Sequence, residues 1–401
     1  MIREIHSAAC PEEYLRAAGL DPDRVIYFDI ETTGFRASTS QLYMIGWAVR
    51  TQAEDSGCRW TVTQLLAENR QEETLLLEQF LDALRGYDTI IEFNGDRFDL
   101  PYLREKCAAH HMPDPFLHLS TVDLYQELRP CRELLGMARL NQKSVEQFLH
   151  ISREDPYNGG ELIDVYRGVR DHTSTDIDAS LRALFLHNYE DVLGMLAMTP
   201  VLSYPMIRSS QAPVTWRIAG LPDDMRPDSF PAADLLLQQA AAAGSSALIF
   251  LDLSFLLELP VPADIDTDTG LLRLRVHGRT VTVSVPLTRR TLYHFFPNYR
   301  DYYYLPQEDR AVHRSVACFV DPAFRTKATA GNCYVKKEGC FLPQKHETRL
   351  PVFRETVKDR ISWFELTEAF LEDADAVCAY AHALLADDVP SARTSAPGRR
   401  A

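Results

Sequence analysis

The first half of the chain predicts an α/β fold in which a mixed β-sheet is flanked by helices, and the second half predicts an α+β accessory domain. In the first half, apolar strand patterns come first and helical patterns follow, with one short buried strand among the helices. This order is typical of a mixed sheet covered by helices. In the second half, apolar and polar residues alternate around turn residues, as they do in β-hairpins.

The individual elements follow from two periodicities, about two residues per repeat in strands and about 3.6 in helices. Strands are predicted at 24–30, 42–49, 59–66 and 89–94. Helices are predicted at 72–87, 100–111, 141–151 and 180–198. In the first of these helices Leu77, Phe80 and Leu84 recur at helical spacing, and the last helix stops at Pro200.

A dense run of prolines after residue 204 marks the predicted domain boundary, because prolines interrupt regular structure. We therefore predict one domain over 1–204, a proline-rich linker over 205–231, a β-rich α+β domain over 232–388 and a disordered tail over 389–401. Within the second domain, residues 271–287 predict a β-hairpin that turns at His277 and Gly278, and residues 361–386 predict a helical region.

Composition places the chain among ordinary globular proteins, with 46% hydrophobic and 25% charged residues. No apolar run reaches the roughly 18 to 20 residues that span a bilayer, and the first residues lack a secretory signal pattern. We therefore expect a cytoplasmic protein without membrane contact. The net charge of −15 is concentrated before residue 205, whereas residues 271–360 are basic and aromatic. This asymmetry suggests metal-binding carboxylates in one half and a polyanion-binding surface in the other. The alternative, which composition alone favours, is a solvated basic face with its aromatic residues in a core.

The stretch YFDIETTGF, residues 27–35, carries two carboxylates at the end of an apolar strand. Side chains at i and i+2 of a strand point to the same face, so Asp29 and Glu31 project together while Phe28 and Ile30 face the other way. Two neighbouring carboxylates repel each other, but their arrangement becomes favourable if divalent cations lie between them, because carboxylate oxygens suit Mg²⁺ or Mn²⁺. The alternative is a strand end that exposes both acids to water.

Two further acids lie on predicted helices. Asp99 follows a strand and precedes Pro101, in what reads as the first turn of a helix, where the simplest role is an N-cap. Asp191 lies inside a helix, and His187 shares its face one turn earlier. An isolated pair of this kind is more often a surface pair. Each simple explanation is sufficient alone, but together the acids favour a common metal site.

The ordered segments FDIETTG, NGDRFDLPYL and HNYEDVLGML resemble the three motifs of the DEDD superfamily of 3′-to-5′ exonucleases, which share a ribonuclease H-like fold. The connector containing SVEQFLHISRED is similar to that of the YprB-like branch. The resemblance covers residues 22–204, about half of the chain. It implies that the metal-binding acids are Asp29, Glu31, Asp99 and Asp191. Asp96 and Asp123 rank below Asp99, because the family pattern places its Asp directly after Phe98.

The resemblance also implies a mechanism and a substrate. Two Mg²⁺ or Mn²⁺ ions would support hydrolysis of phosphodiester bonds in nucleic acid that is single-stranded or has a 3′ end. Asp29 is expected to bridge both ions, Asp99 and Asp191 to complete their shells, and Glu31 to hold the attacking water or the terminal 3′ hydroxyl. Contacts to nucleic acid are expected from Thr32, Asn94 and Phe98.

One position departs from the common subtypes of the superfamily. Members place either Tyr four residues before the last Asp or His five residues before it, whereas this sequence has His187 four residues before Asp191 and Leu186 in the other place. An imidazole is chemically suited to orient or deprotonate the attacking water. His187 is therefore a candidate general base, and the alternative is that it packs beside the site.

The segment RRTLYHFFPNYRDYYY, residues 289–304, interleaves arginine with aromatic residues. Arg289, Arg290 and Tyr299 are candidates to bind single-stranded nucleic acid, or they belong to a strand and core of the accessory domain. For the whole chain, the alternatives are a structure-specific endonuclease of the same fold and a catalytically degenerate nucleic-acid-binding module. A phosphatase with an aspartyl nucleophile fits less well, because it needs an Asp where Glu31 stands.

Overall fold

The computed structural model describes residues 1–52, 58–221, 230–242, 249–344 and 346–386. The chain divides into two compact units, of which unit 1 comprises Met1–Met206 and Glu258–Ala263, and unit 2 comprises Ile207–Leu257 and Asp264–Ala401. The predicted disordered tail at 389–401 lies outside the described residues.

The elements up to the boundary between the units include every strand and helix that the sequence predicts in this part. The strands are β1 (Ile2–Ala8), β2 (Val25–Thr32), β3 (Leu42–Gln52), β4 (Cys58–Leu66), β5 (Thr89–Glu92) and β6 (Ser120–Asp123). The helices are α1 (Glu12–Ala17), α2 (Glu73–Leu84), α3 (Asp99–Ala109), α4 (Leu124–Leu128), α5 (Gln142–Phe148), α6 (Gly159–Arg170), α7 (Ile177–Met198) and α8 (Ser203–Ser209).

Unit 1 is built on a mixed sheet whose described strands lie in the order β1-β4-β3-β2-β5-β6. The pairs from β1 to β2 are antiparallel, whereas β2 with β5 and β5 with β6 are parallel. The predicted mixed sheet flanked by helices is thereby confirmed. Because β2, β5 and β6 are parallel, their carboxyl ends lie at one edge of the sheet, and this edge carries most of the acids discussed below.

The two faces of this sheet bury different side chains. Phe28 and Ile30 of β2 belong to a core that also contains Leu77 and Phe80 of α2. On the opposite face, Tyr43 of β3 stacks on Tyr166 of α6 with ring centroids 4.1 Å apart, in a cluster that includes Leu184 and Phe185 of α7. The alternation along β2 therefore directs Asp29 and Glu31 towards the α7 face.

Unit 2 consists of antiparallel sheets and short helices. Its strands are β7 (Thr215–Ala219), β8 (Ile249–Leu256), β9 (Ile265–Asp268), β10 (Arg273–His277), β11 (Thr280–Phe295), β12 (Tyr302–Leu305), β13 (Arg310–His313), β14 (Thr326–Lys327), β15 (Tyr334–Gln344) and β16 (Ser362–Glu365). Its helices are α9 (Phe230–Ala242), α10 (Arg314–Ala317), α11 (Glu368–Glu372) and α12 (Ala374–Leu385). One sheet runs β16-β15-β11-β10-β9 with β8 on β11 and β7 on β8, and a second runs β13-β12-β14. Among the described residues, no helix is both long enough and apolar enough to cross a membrane.

The structure differs from the sequence expectation at two places in this half. The range 205–231, expected to be a linker, contains the greater part of α8 and the strand β7, which pairs with β8, while 222–229 lie outside the described residues. Pro205 is compatible with α8 because it lies in the first turn. The range 361–386, expected to be helical, begins as β16, because its first apolar residues pair with β15. The predicted hairpin forms from β10 and β11, but its turn is at Gly278 and Arg279, because His277 ends β10 and pairs with Thr280.

Candidate active site

The strand β2 carries Asp29 and Glu31, and the first of these lies opposite a glycine of the neighbouring strand. In the antiparallel pair with β3, Asp29 lies opposite Gly46. A Cβ atom on Gly46 would clash with Oδ1 of Asn188, whose Nδ2 donates a hydrogen bond to Oδ2 of Asp29 at 3.0 Å. The missing side chain therefore lets α7 approach the sheet closely enough to hold this carboxylate.

The helix α3 brings Asp99 to the same strand. After β5, the chain turns at Asn94, which has a left-handed φ of 63°, and α3 then begins at Asp99 itself. Burial acts to raise the pKa of the Asp99 carboxyl, whereas the backbone N–H groups of Asp99 itself and of Ile30 act to lower it. Because Ile30 lies between Asp29 and Glu31 on β2, Asp99 lies beside both acids.

The helix α7 supplies Asp191 and His187 one turn apart. Nε2 of His187 lies 3.5 Å from Oε1 of Glu31 and 3.4 Å from Oδ2 of Asp191. One potential ligand atom from each of these three residues lies within 4.8 Å of the others. The structure thus brings together all four acids named from the sequence, together with His187, from three segments far apart in the chain.

A fifth carboxylate orients the imidazole. Oδ2 of Asp155 lies 2.6 Å from Nδ1 of His187, and both side chains are buried. Burial acts to raise the pKa of Asp155, but hydrogen bonds from the backbone N–H of Tyr157 and from His187 outweigh it and hold the pKa below its usual value. An ionised Asp155 accepts a hydrogen bond from the Nδ1–H group, so the lone pair of the neutral imidazole is on Nε2, facing Glu31 and Asp191.

A buried arginine holds the other side of Asp191. Nη1 of Arg153 lies 2.6 Å from Oδ1 of Asp191 and 3.1 Å from each carboxylate oxygen of Glu146. A Cβ on Gly194 of α7 would clash with Oε1 of Glu146, so this glycine lets α5 bring Glu146 close. Arg153 therefore fixes one oxygen of Asp191 and leaves Oδ2 directed towards His187.

Sequence reasoning missed Glu146, Arg153 and Asp155 as members of the site. The sequence did contain a signal for them, because these three are among the four charged positions of the SVEQFLHISRED connector, the fourth being Glu154. Each acts through a residue named from the sequence, Asp155 through His187 and the other two through Asp191.

Crowding of the acids changes their protonation. Burial, and then repulsion by Asp191 and Glu31, raises the pKa of Asp29 well above its usual value. Burial and repulsion by Asp191 do the same to the pKa of Glu31, and burial raises the pKa of Asp99 to about 7. Clustered carboxylates of this kind either hold protons or share divalent cations. The donor set of four carboxylates suits Mg²⁺ or Mn²⁺.

We expect the stability of the metal-free protein to fall with rising pH because of Asp99. Between the ordinary pKa of an aspartate, about 4, and its value of about 7 in the folded protein, the folded state binds more protons than the unfolded state, so the free energy of unfolding decreases. In EDTA, Asp99→Asn should therefore gain a few kcal/mol over wild type between pH 4 and pH 8, at about 1.4 kcal/mol per pKa unit.

The measurement is thermal or urea unfolding of both proteins across this pH range, with EDTA and with Mg²⁺. Mg²⁺ should reduce the difference, because it stabilises only the wild-type carboxylate cluster. A difference between the two proteins that does not change with pH in EDTA would contradict the burial of Asp99 in this cluster.

The residues expected to contact nucleic acid in unit 1 lie around this site. Thr32 ends β2 and donates its hydroxyl to the carbonyl of Gly34 at 3.0 Å, and Asn94 lies in the turn before α3. Phe98 is partly buried and packs edge-on against Phe35, with ring centroids 6.0 Å apart. Phe35 was not named from the sequence, yet 91% of it is exposed. An exposed ring beside the acids is a surface on which a base can stack.

The residues expected to contact nucleic acid in unit 2 have partners within the protein. Arg289 forms ion pairs with Asp234 at 2.8 Å and Glu338 at 3.1 Å. Arg290 pairs with Glu355 at 2.9 Å and lies over the ring of Trp363. Tyr299 packs against a small core of unit 2. These contacts match the alternative that the sequence left open, strand and core of an accessory domain, and nucleic-acid binding there stays a prediction.

Comparison with known proteins defines the class of fold in unit 1. Residues 26–202 match the RNase_H_2 family model, which is described as RNase_H superfamily. This range contains β2 to β6 and α2 to α7, and the mixed sheet with its helices is a ribonuclease H-like fold. The narrower resemblance to DEDD exonucleases and to the YprB-like branch stays a prediction. The sequence has no match among curated proteins.

Solved structures show distant similarity to the chain. One is the family B DNA polymerase from the hyperthermophilic archaeon Pyrobaculum calidifontis, 17% identical, with a TM-score of 0.37 over 70% of this chain and 35% of the polymerase. Another is the apo form of a nuclease, 17% identical, with a TM-score of 0.29 over 50% of this chain and 80% of that one. The chain thus spans about a third of the length of the polymerase.

Proposed function

We propose that the protein is a metal-dependent nuclease that removes nucleotides from the 3′ end of single-stranded nucleic acid. One observation carries the proposal: four acids from β2, α3 and α7 lie in one cluster, and two of them, Glu31 and Asp191, face a histidine that a buried carboxylate orients. Asp29, Glu31, Asp99 and Asp191 are the proposed cation ligands. No simple structural role explains the convergence, because the acids raise one another's pKa values in the absence of a cation.

The residues divide into ligands and groups that hold them. When bound, a pair of divalent cations supplies positive charge against the negative charge that builds up on the phosphate, on the attacking oxygen and on the leaving oxygen. Asn188 holds one oxygen of Asp29 and Arg153 holds one oxygen of Asp191. Each of these carboxylates therefore keeps its other oxygen for a cation, in an orientation set before substrate arrives.

His187 is the proposed general base. Its Nδ1 is hydrogen-bonded to Asp155, so Nε2 could take a proton from an attacking water molecule bound beside the imidazole and Glu31. The ionised Asp155 stabilises the imidazolium that forms, as a carboxylate does for a catalytic histidine in general. The proton on Nε2 can then be given to the leaving oxygen or to solvent.

Single-stranded substrate is proposed from the exposed aromatic edge beside the acids. Phe35 lies in the loop that follows β2, and its ring projects into solvent next to Phe98. Stacking on an aromatic side chain contributes about 1–3 kcal/mol per base and needs an unpaired base. The loop therefore gives a place for a terminal base of the strand that enters the site.

The test is product analysis on single-stranded DNA and RNA labelled at the 5′ or the 3′ end, with Mg²⁺, with Mn²⁺ and with EDTA. A 3′-to-5′ exonuclease releases labelled mononucleotide from the 3′-labelled strand at once and shortens the 5′-labelled strand stepwise. EDTA should abolish both, and Phe35→Ala should reduce activity on single strands about tenfold, the equivalent of one lost stacking contact.

A circular single strand is the control for direction. Because it has no end, cleavage of the circle would replace the exonuclease proposal with the endonuclease alternative. Absence of cleavage on every linear substrate with Mn²⁺ present would favour the degenerate binding module instead.

A further inference from the structure

A second acidic group lies in unit 1 at the carboxyl ends of β5 and β6. Glu92 is the last residue of β5, Asp123 is the last residue of β6, and the two face each other in the parallel register. Asp96 lies in the turn that follows β5. One carboxylate oxygen from each of the three lies within 4.8 Å of the others. None of these residues belongs to the four acids of the proposed nuclease site.

Two of these acids are buried, and each has one carboxylate oxygen without a hydrogen-bond partner in the part of the chain that the structure describes. Glu92 is 1% exposed and Asp123 is 4% exposed. One oxygen of Glu92 accepts from the backbone N–H of Gly95, and Oδ1 of Asp123 accepts from Asn94 at 2.8 Å. Oε1 of Glu92 and Oδ2 of Asp123 have no hydrogen-bond partner among the described residues. A buried polar atom without a partner destabilises the folded state, so the group needs another component.

Repulsion between these acids also indicates that the group needs another component. Burial, and then the charge of Asp123, raises the pKa of Glu92 to about 9, and burial raises the pKa of Asp123 as well. The repulsion can be removed by a proton shared between Glu92 and Asp123, or by a cation. A shared proton joins two carboxylates and gives Asp96 no role, whereas a cation uses all three donors and takes water on the side where Asp96 is exposed.

From this geometry we infer that Glu92, Asp96 and Asp123 bind one hard divalent cation, Mg²⁺, Mn²⁺ or Ca²⁺, at a site separate from the proposed nuclease centre. All the donors are carboxylate oxygens, which these cations prefer. Their fixed orientation supports the assignment, because backbone N–H groups hold one oxygen of each buried acid and leave the other without a hydrogen-bond partner among the described residues.

The cation would stabilise the turn that leads to Asp99. Glu92 and Asp123 hold the N–H groups of Gly95 and Asn94, and Asn94 has a left-handed backbone conformation. The helix α3 begins at Asp99, directly after this turn. This positioning role rests on the proposed nuclease function, whereas the cation site itself does not depend on that function.

The test counts Mn²⁺ by electron paramagnetic resonance on the full chain. In the background Asp29→Asn with Asp191→Asn, which disables the proposed nuclease centre, we expect one tightly bound Mn²⁺ per chain. Adding Glu92→Gln should abolish this binding, and adding the exposed Asp96→Asn should weaken it at least tenfold without endangering the fold. Glu78→Gln, an exposed acid of α2, is the matched control and should leave the count unchanged.

The same variants separate a cation from a shared proton. If a cation binds, Mn²⁺ or Ca²⁺ should raise the melting temperature of the background variant but not that of the variant with Glu92→Gln. No bound Mn²⁺ in the background variant, or a count and melting temperature that Glu92→Gln and Asp96→Asn leave unchanged, would overturn the inference. Since the background is already inactive, loss of nuclease activity plays no part in this result.

Discussion

Asp29→Asn is expected to lower the rate of cleavage by about 10³-fold or more while leaving the protein folded. A cation ligand placed between the other acids contributes several kcal/mol of charge stabilisation in the transition state, and about 1.4 kcal/mol corresponds to a factor of ten in rate. The substitution also removes a carboxylate that burial and the charges of Asp191 and Glu31 make unfavourable. In EDTA, the variant should therefore be at least as stable as wild type.

The measurements are initial rates on a labelled single strand and the free energy of unfolding with EDTA and with Mg²⁺. Asp164→Asn, an 82% exposed acid of α6, is the matched control and should keep full activity. Together, the low rate and the retained stability distinguish a lost ligand from a lost fold. Wild-type activity in Asp29→Asn would remove the proposed nuclease site.

His187→Ala is expected to lower the maximal rate by about 10²- to 10⁴-fold, the usual contribution of a general base. His187 also lies near Glu31 and Asp191, so a role as a cation ligand needs to be separated from a role as a base. A base that takes a proton from water can be replaced by imidazole in solution, whereas a lost ligand shifts the Mg²⁺ concentration needed for activity. We expect rescue by imidazole and an unchanged Mg²⁺ midpoint.

Asp155→Asn tests the orientation of the same imidazole. The asparagine amide can donate to Nδ1, which places the proton of neutral His187 on Nε2 and removes the lone pair directed at water. The maximal rate should fall about 10²-fold with KM and the Mg²⁺ midpoint unchanged, a pattern that a general loss of packing would not give. His118→Ala, an exposed histidine, is the control. Full activity in either His187→Ala or Asp155→Asn would contradict the proposed base.

The positions of the proposed cation ligands could be predicted because each follows from a local rule. The two-residue repeat of β2 places Asp29 and Glu31 together, and the i, i+4 spacing on α7 does the same for His187 and Asp191. For Asp99, its place after a strand and before Pro101 indicated the start of a helix, and α3 does begin there. Such rules depend only on neighbours in sequence, so a single chain is sufficient to apply them.

The supporting residues could not be predicted in this way. Asp155 lies between α5 and α6 in a segment without periodicity, and its partner His187 is 32 positions away. Arg289 likewise meets Glu338 because β11 pairs with β15, a register that no local pattern fixes. Contacts of this kind depend on tertiary packing. The sequence alone therefore does not show whether the partner of a charged side chain is a phosphate or a carboxylate.

The wide spacing of the acids has a consequence during synthesis. Asp29 and Asp99 leave the ribosome long before α7, which carries Asp191 and ends at Met198. A nascent or truncated chain that stops before α7 lacks part of the proposed ligand set, so under the proposed function it would not attack the messenger that encodes it or nearby nucleic acid. The proposed nuclease chemistry would therefore become available only once α7 has docked on the sheet.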